Sequence, residues 1–151
     1  MIGKLDTHEI QNLLLSQVIG RLACSDDYQP YIVPITYAYD GEYIYGQTTE
    51  GTKLTILRKN PRICFEVDRL KDMVNWQSVI VYGEFEELQD EDAAKAAQVL
   101  FDRVFSLTTS STVHRYGLRV NEEQYDLQPP PFKHVMYRIK ITETTGRFET
   151  T

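Results

Sequence analysis

The chain has 151 residues, enough to bury one sizeable core, and with 42% apolar and 25% charged residues it has the composition of a globular protein rather than a disordered or fibrous one. A formal net charge of -6, with no cluster of Lys and Arg, argues against nonspecific nucleic-acid binding, and no apolar run approaches the roughly 20 residues of a membrane span. The first residues carry no export signal, so the expectation is a single domain over 1–151 in the cytoplasm, with Cys24 and Cys64 as buried, reduced thiols.

Asp6 followed by Glu9 predicts a helix start, and Ile10, Leu13 and Leu14 continue it at helical spacing. Residues 18–24 read as a strand, Ser25-Asp26-Asp27 as a turn, and 30–39 as a second strand rich in β-branched and aromatic residues. Asp40-Gly41 between two alternating segments is a strong hairpin signal, pairing the second strand with a third that begins near Glu42. A polar loop then leads into a short helix over 53–59, stopped by Asn60-Pro61. Residues 62–69 and 78–88 read as two more strands, joined by a loop carrying Trp76. A second amphipathic helix starts at Asp90 and turns Ala96, Leu100 and Val104 to one face. The pattern over 106–133 is weak and includes the stiff Pro129-Pro130-Pro131, a stretch fit to wrap an edge or a partner. Residues 135–142 give a sixth strand, followed by a Thr-rich tail. Short hairpins with inserted helices predict an α+β fold, a six-stranded antiparallel split β-barrel with short flanking helices.

The segment Gly46-Gln47-Thr48-Thr49-Glu50-Gly51-Thr52-Lys53 runs from a strand into a short helix, where free N–H groups and the helix dipole favour an anion. Its Thr hydroxyls add donors, Gly51 permits close backbone approach, and Lys53 adds a charge. This composition suits a phosphate cradle and equally an ordinary polar loop. Arg21, inside an apolar strand, reads either as a snorkelling edge residue or as a phosphate ligand. Trp76 reads either as a core filler or as a wall for a flat ligand. His8, His114 and His134 show no ligand spacing, and no metal is expected.

Four segments in order carry a family likeness: Gly20-Arg21-Leu22-Ala23, Pro34-Ile35-Thr36-Tyr37, Gly51-Thr52-Lys53 with Asn60-Pro61, and Trp76-Gln77-Ser78-Val79-Ile80-Val81-Tyr82-Gly83. With them the chain resembles the pyridoxamine 5'-phosphate oxidase-like, FMN-binding split-barrel family, particularly its small branch related to nitroimidazole-resistance proteins. The resemblance implies a homodimer with FMN in a groove between subunits. It implies Lys53 and Thr52 at the phosphate with Arg21, Gln47 and Thr48 nearby, and the backbone of Pro34, Ile35, Thr36 and Tyr37 along the flavin ring. It places Trp76, Ser78 and Val79 beside the cofactor.

Two departures narrow the chemistry. Gly46 stands where many nitroimidazole-resistance relatives carry a His, and Thr52-Lys53 replaces the Arg-Lys pair of true pyridoxamine-phosphate oxidases. The expected activity is therefore flavin-dependent transfer of hydride or electrons from a reduced nicotinamide to a small-molecule acceptor. The alternatives are a flavin-binding or storage protein without turnover and a haem-binding split barrel, the last disfavoured because no His lies where it could ligate iron.

Overall fold

Asp6 and Glu9 close a capping box: the Asp6 carboxylate accepts the Glu9 N–H at 2.8 Å, and Glu9 Oε1 accepts the Asp6 N–H at 3.1 Å. The helix they start, α1 (Thr7–Ser16), buries Ile10, Leu13 and Leu14. The computed structural model describes residues 1–105 and 134–151, so the expected stretch 106–133, with its three prolines, lies outside the described residues. Around α1 the chain forms β1 (Ile2–Lys4), β2 (Ile19–Ser25), β3 (Pro30–Thr36), β4 (Ala38–Tyr39) and β5 (Tyr43–Thr49). There follow α2 (Thr52–Lys59), β6 (Arg62–Asp72), β7 (Asn75–Glu87), α3 (Asp90–Phe105) and β8 (His134–Glu149).

The strands form one open antiparallel sheet in the order β3-β2-β6-β7-β8-β5-β4, with β1 paired to the end of β8. This is the expected split-barrel α+β architecture, with eight strands among the described residues instead of six. The predicted second strand is cut at Tyr37. The Tyr37 N–H bonds to Val18 O at 2.9 Å, its ring is fully buried edge-on to Phe65, and its hydroxyl donates to Leu14 O at 2.7 Å. The chain therefore leaves one edge of the sheet as β3 and arrives at the other as β4. The Asp40-Gly41 hairpin forms, but with only Ala38 and Tyr39 on its first arm. Asp40 accepts the N–H groups of Glu42 and Tyr43 at 2.8 and 2.7 Å, and Gly41 takes a φ of 97°, a conformation open to glycine.

Two further expectations are corrected. Trp76 is not in a loop: β6 and β7 run on until only Met73 and Val74 separate them, because Asp72 accepts the Val74 N–H and the Asn75 side-chain amide at 2.9 and 3.0 Å. The Thr-rich tail is not a tail either, since Thr144 to Glu149 pair with β7 and complete a 16-residue β8.

The sheet curls around a core containing Leu22, Phe65, Val67, Val79, Val81 and Ile139, which α1 and α2 help to cover. On the opposite side of β5 and β8, α3 packs Ala96, Leu100 and Val104 against Ala38, Leu88 and Met136. Among the described residues no helix is long and apolar enough to cross a membrane.

Candidate functional site

β5 ends at Thr49, and Glu50 and Gly51 carry the chain into α2. Gly51 is the N-cap, so no side chain bonds the first N–H groups, and no acidic residue lies in the first turn. A Cβ built on Gly51 meets no atom within 4 Å, so the space before the helix is open. Among the described residues no anionic side chain thus answers the positive end of the α2 dipole. The helix itself is held firmly. Leu54 and Leu57 are buried, and the Asn60 side chain donates to Ser25 O at 2.9 Å. Arg58 takes Glu50 in a two-point contact at 2.9 and 3.1 Å and also Glu87 at 2.7 Å. The carboxylate nearest the loop is thereby tied down away from Lys53.

Lys53 sits in the first turn of α2, partly buried, and that burial pulls its pKa below the usual lysine value. Its Nζ lies 5.9 Å from the ring centroid of Tyr137. Among the described residues it has neither a carboxylate nor a hydrogen-bond acceptor. Tyr137 of β8 is the register partner of Gly46, and a Cβ at Gly46 would collide with the Tyr137 hydroxyl. The place where the family likeness leads one to look for a His is therefore filled from the neighbouring strand. The Tyr137 hydroxyl is buried without a partner among the described residues, and burial pushes its pKa up. Thr48 shares the Gly46 face of β5 and donates to Thr49 O at 3.2 Å. Gln47 alternates to the other face, opposite Met136 and the α3 layer, and is turned away from Lys53.

A second group of expected residues lies on the outer face of β2, β6 and β7. Arg21 bonds Asp68 at 3.1 Å and Glu66 at 3.5 Å, and Ser78 donates to Glu66 at 3.0 Å. Burial, reinforced by the adjacent Asp68, raises the Glu66 pKa. Trp76 donates its indole N–H to Glu149 at 3.1 Å. Pro34 is exposed on β3, the edge strand, where its missing N–H costs nothing. Thr36 is partly exposed, whereas the side chains of Ile35, Tyr37 and Val79 belong to the core.

The structure brings Thr48, Thr52 and Lys53 to one end of β2, near Cys24. It does not bring Trp76 there. Extending the register Arg21↔Glu66, Leu70 and its partner Trp76 fall opposite position 17, seven residues from Cys24. At roughly 3.3 Å per residue this is about 23 Å along the strands. Sequence reading missed Glu66, Asp68 and Tyr137. The alternation of Glu66 and Asp68 with Phe65 and Val67 signals an outward carboxylate pair, but the strand that supplies Arg21 is decided by pairing. Among the described residues no three His, Cys, Asp or Glu side chains group as a metal site. The cleft at the start of α3, of about 460 Å³, is lined by Glu86, Glu87, Asp90, Glu91 and Asp92 with Arg138, an acidic lining unsuited to phosphate.

This fold belongs to a known class. A family profile described as pyridoxamine 5'-phosphate oxidase matches residues 6–148, and the chain belongs to that family. It is 37% identical to an uncharacterized protein of Rhizobium meliloti (strain 1021), over 92% of this chain and 89% of that protein. The crystal structure of a FAD-binding protein from Mesorhizobium loti superposes with a TM-score of 0.74 at 31% identity, covering 99% of both chains. The FAD-binding protein from Mycobacterium smegmatis superposes with a TM-score of 0.62 at 27% identity, covering 97% of both.

Proposed function

We propose that this protein binds FMN, with the phosphate at the start of α2, and that it works as a flavin-dependent oxidoreductase. The observation that carries the reading is the Lys53 ammonium, partly buried beside an uncapped helix start with no counter-charge among the described residues. An uncompensated charge out of water is costly, and a phosphate dianion supplies the partner that the described residues do not. Lys53 and Thr52 then hold the phosphate, with the Thr48 hydroxyl close by. Arg21 already answers two carboxylates, so it contributes to the outer face rather than to the phosphate.

Among the described residues one edge of the β3 backbone is unpaired, which offers the donors and acceptors that a flavin pyrimidine needs next to Pro34, Ile35, Thr36 and Tyr37. Trp76 and Ser78 lie on β7, three strands across the sheet from Thr36 and Tyr37, so in this reading they reach the flavin from a second copy, in a homodimer. The exposed Ile19, Ile32, Leu70 and Tyr82 give that face apolar surface for such a contact. When bound, the flavin supplies hydride or electron transfer between a reduced nicotinamide and a small acceptor, while these residues bind and orient it. Two free thiols, Cys24 and Cys64, suit a reducing cytoplasm. The two similar structures named as FAD-binding favour FAD as the second reading, through the same phosphate contacts.

The test is the absorption spectrum of the purified protein, mass spectrometry of the released ligand and bleaching by NADH or NADPH. Flavin bands with FMN mass and reductive bleaching are expected. FAD mass supports the second reading, flavin without turnover supports storage, and a Soret band replaces flavin with haem. A colourless protein that takes up neither flavin at high concentration overturns the proposal.

A further inference from the structure

We propose that Tyr137 is the positioning residue for Lys53: its ring, seated over Gly46, is the platform that holds the ammonium beside the first turn of α2. This rests on the anion-binding reading of Lys53 above. The lysine side chain has four rotatable carbons and, among the described residues, no acceptor to fix it. What it does have is the face of an aromatic ring, with Nζ 5.9 Å from the centroid, within the roughly 6 Å over which a cation is drawn to a π-face. The ring cannot drift. It is wholly buried, it packs on Phe85 at 5.2 Å between centroids, and it fills the space that any side chain at Gly46 would occupy. The rival acceptor, Glu50, is held by Arg58. Cys24, the remaining titratable group that acts on both Lys53 and Tyr137, has its thiol pushed up by burial and stays neutral. Because the Tyr137 hydroxyl has no partner among the described residues, the part of the side chain that acts on Lys53 is the ring.

The experiment compares FMN and riboflavin affinities of Tyr137→Phe, Tyr137→Leu and Tyr137→Met, alone and with Lys53→Met. Tyr137→Phe keeps the ring and binds FMN within about twofold of the parent. Tyr137→Leu weakens FMN about three- to tenfold, the range of a partly desolvated cation–π contact, and leaves riboflavin unchanged. Added to Lys53→Met, it causes no further loss. If Tyr137→Leu does not fold, Tyr137→Met serves in its place with the same expectations. A second readout needs no flavin: NMR of isotope-labelled, reductively methylated lysines should show Lys53 titrating lower without the ring and unchanged in Tyr137→Phe. Equal losses for FMN and riboflavin, a further loss on top of Lys53→Met, or a Lys53 titration indifferent to the ring overturns the proposal. If the parent protein takes up no flavin, the anion-binding reading fails by itself, and the Lys53 titration alone decides whether Tyr137 is its platform.

Discussion

Replacing Lys53 with Met separates binding from stability, because the two change in opposite directions. Methionine keeps most of the stem that runs from α2 to Tyr137 and deletes only the charge. In the proposed FMN complex the lost interaction is a charge-assisted hydrogen bond to phosphate, about 1.5–3 kcal/mol, or about ten- to a hundredfold in Kd. In the free protein the deleted group is a partly buried ammonium without a counter-ion among the described residues, so its removal leaves stability equal or higher. The pH dependence follows. Burial lowers the folded-state pKa of Lys53, so the unfolded chain holds that proton more tightly, and stability rises between the lowered value and the unfolded value near ~10.4. Lys53→Met abolishes that rise. Flavin-fluorescence titrations with FMN and riboflavin, together with urea unfolding of the free protein on the alkaline side, measure all three effects. An unchanged FMN Kd, or an equal loss for riboflavin, refutes the reasoning.

Tyr37→Phe deletes a buried bond and leaves the Leu14 carbonyl without that donor; a loss of about 1–2 kcal/mol in urea unfolding is expected, with FMN affinity unchanged. Arg21→Gln should alter FMN affinity less than about threefold by titration and lower stability by less than about 1 kcal/mol, since the Arg21 side chain is 41% exposed. Glu66 is held above its ordinary pKa by burial and by Asp68, so its contribution is complete below the unfolded value near ~4.3 and is lost as pH rises through the folded value. Glu66→Gln should therefore flatten the decline in stability on that side, read from urea midpoints across mildly acidic pH.

Local chemistry announces several features of this chain before any fold is known. The Asp6–Glu9 box, the Asp40-Gly41 turn and the Asn60-Pro61 stop act over three or four residues, and each appears where it is expected. The opening of α2 is legible to within one residue: the helix expected over 53–59 spans Thr52–Lys59. The extent of β6, β7 and β8 is different. Trp76 and the Thr-rich end of β8 carry weak strand signals and become strand because they pair with each other.

By itself the sequence determined the alternation of strands and short helices, the family likeness and the polar loop that opens α2, because these depend on neighbours along the chain. Tertiary structure decided the rest. It turned Gln47 away from Lys53, gave Arg21 to Glu66 and Asp68, placed Trp76 far along the sheet, and laid Tyr137 over Gly46 beneath the ammonium. The physical reason is register: a strand shows which residues share a face, but only its pairing partner fixes which distant residue meets them.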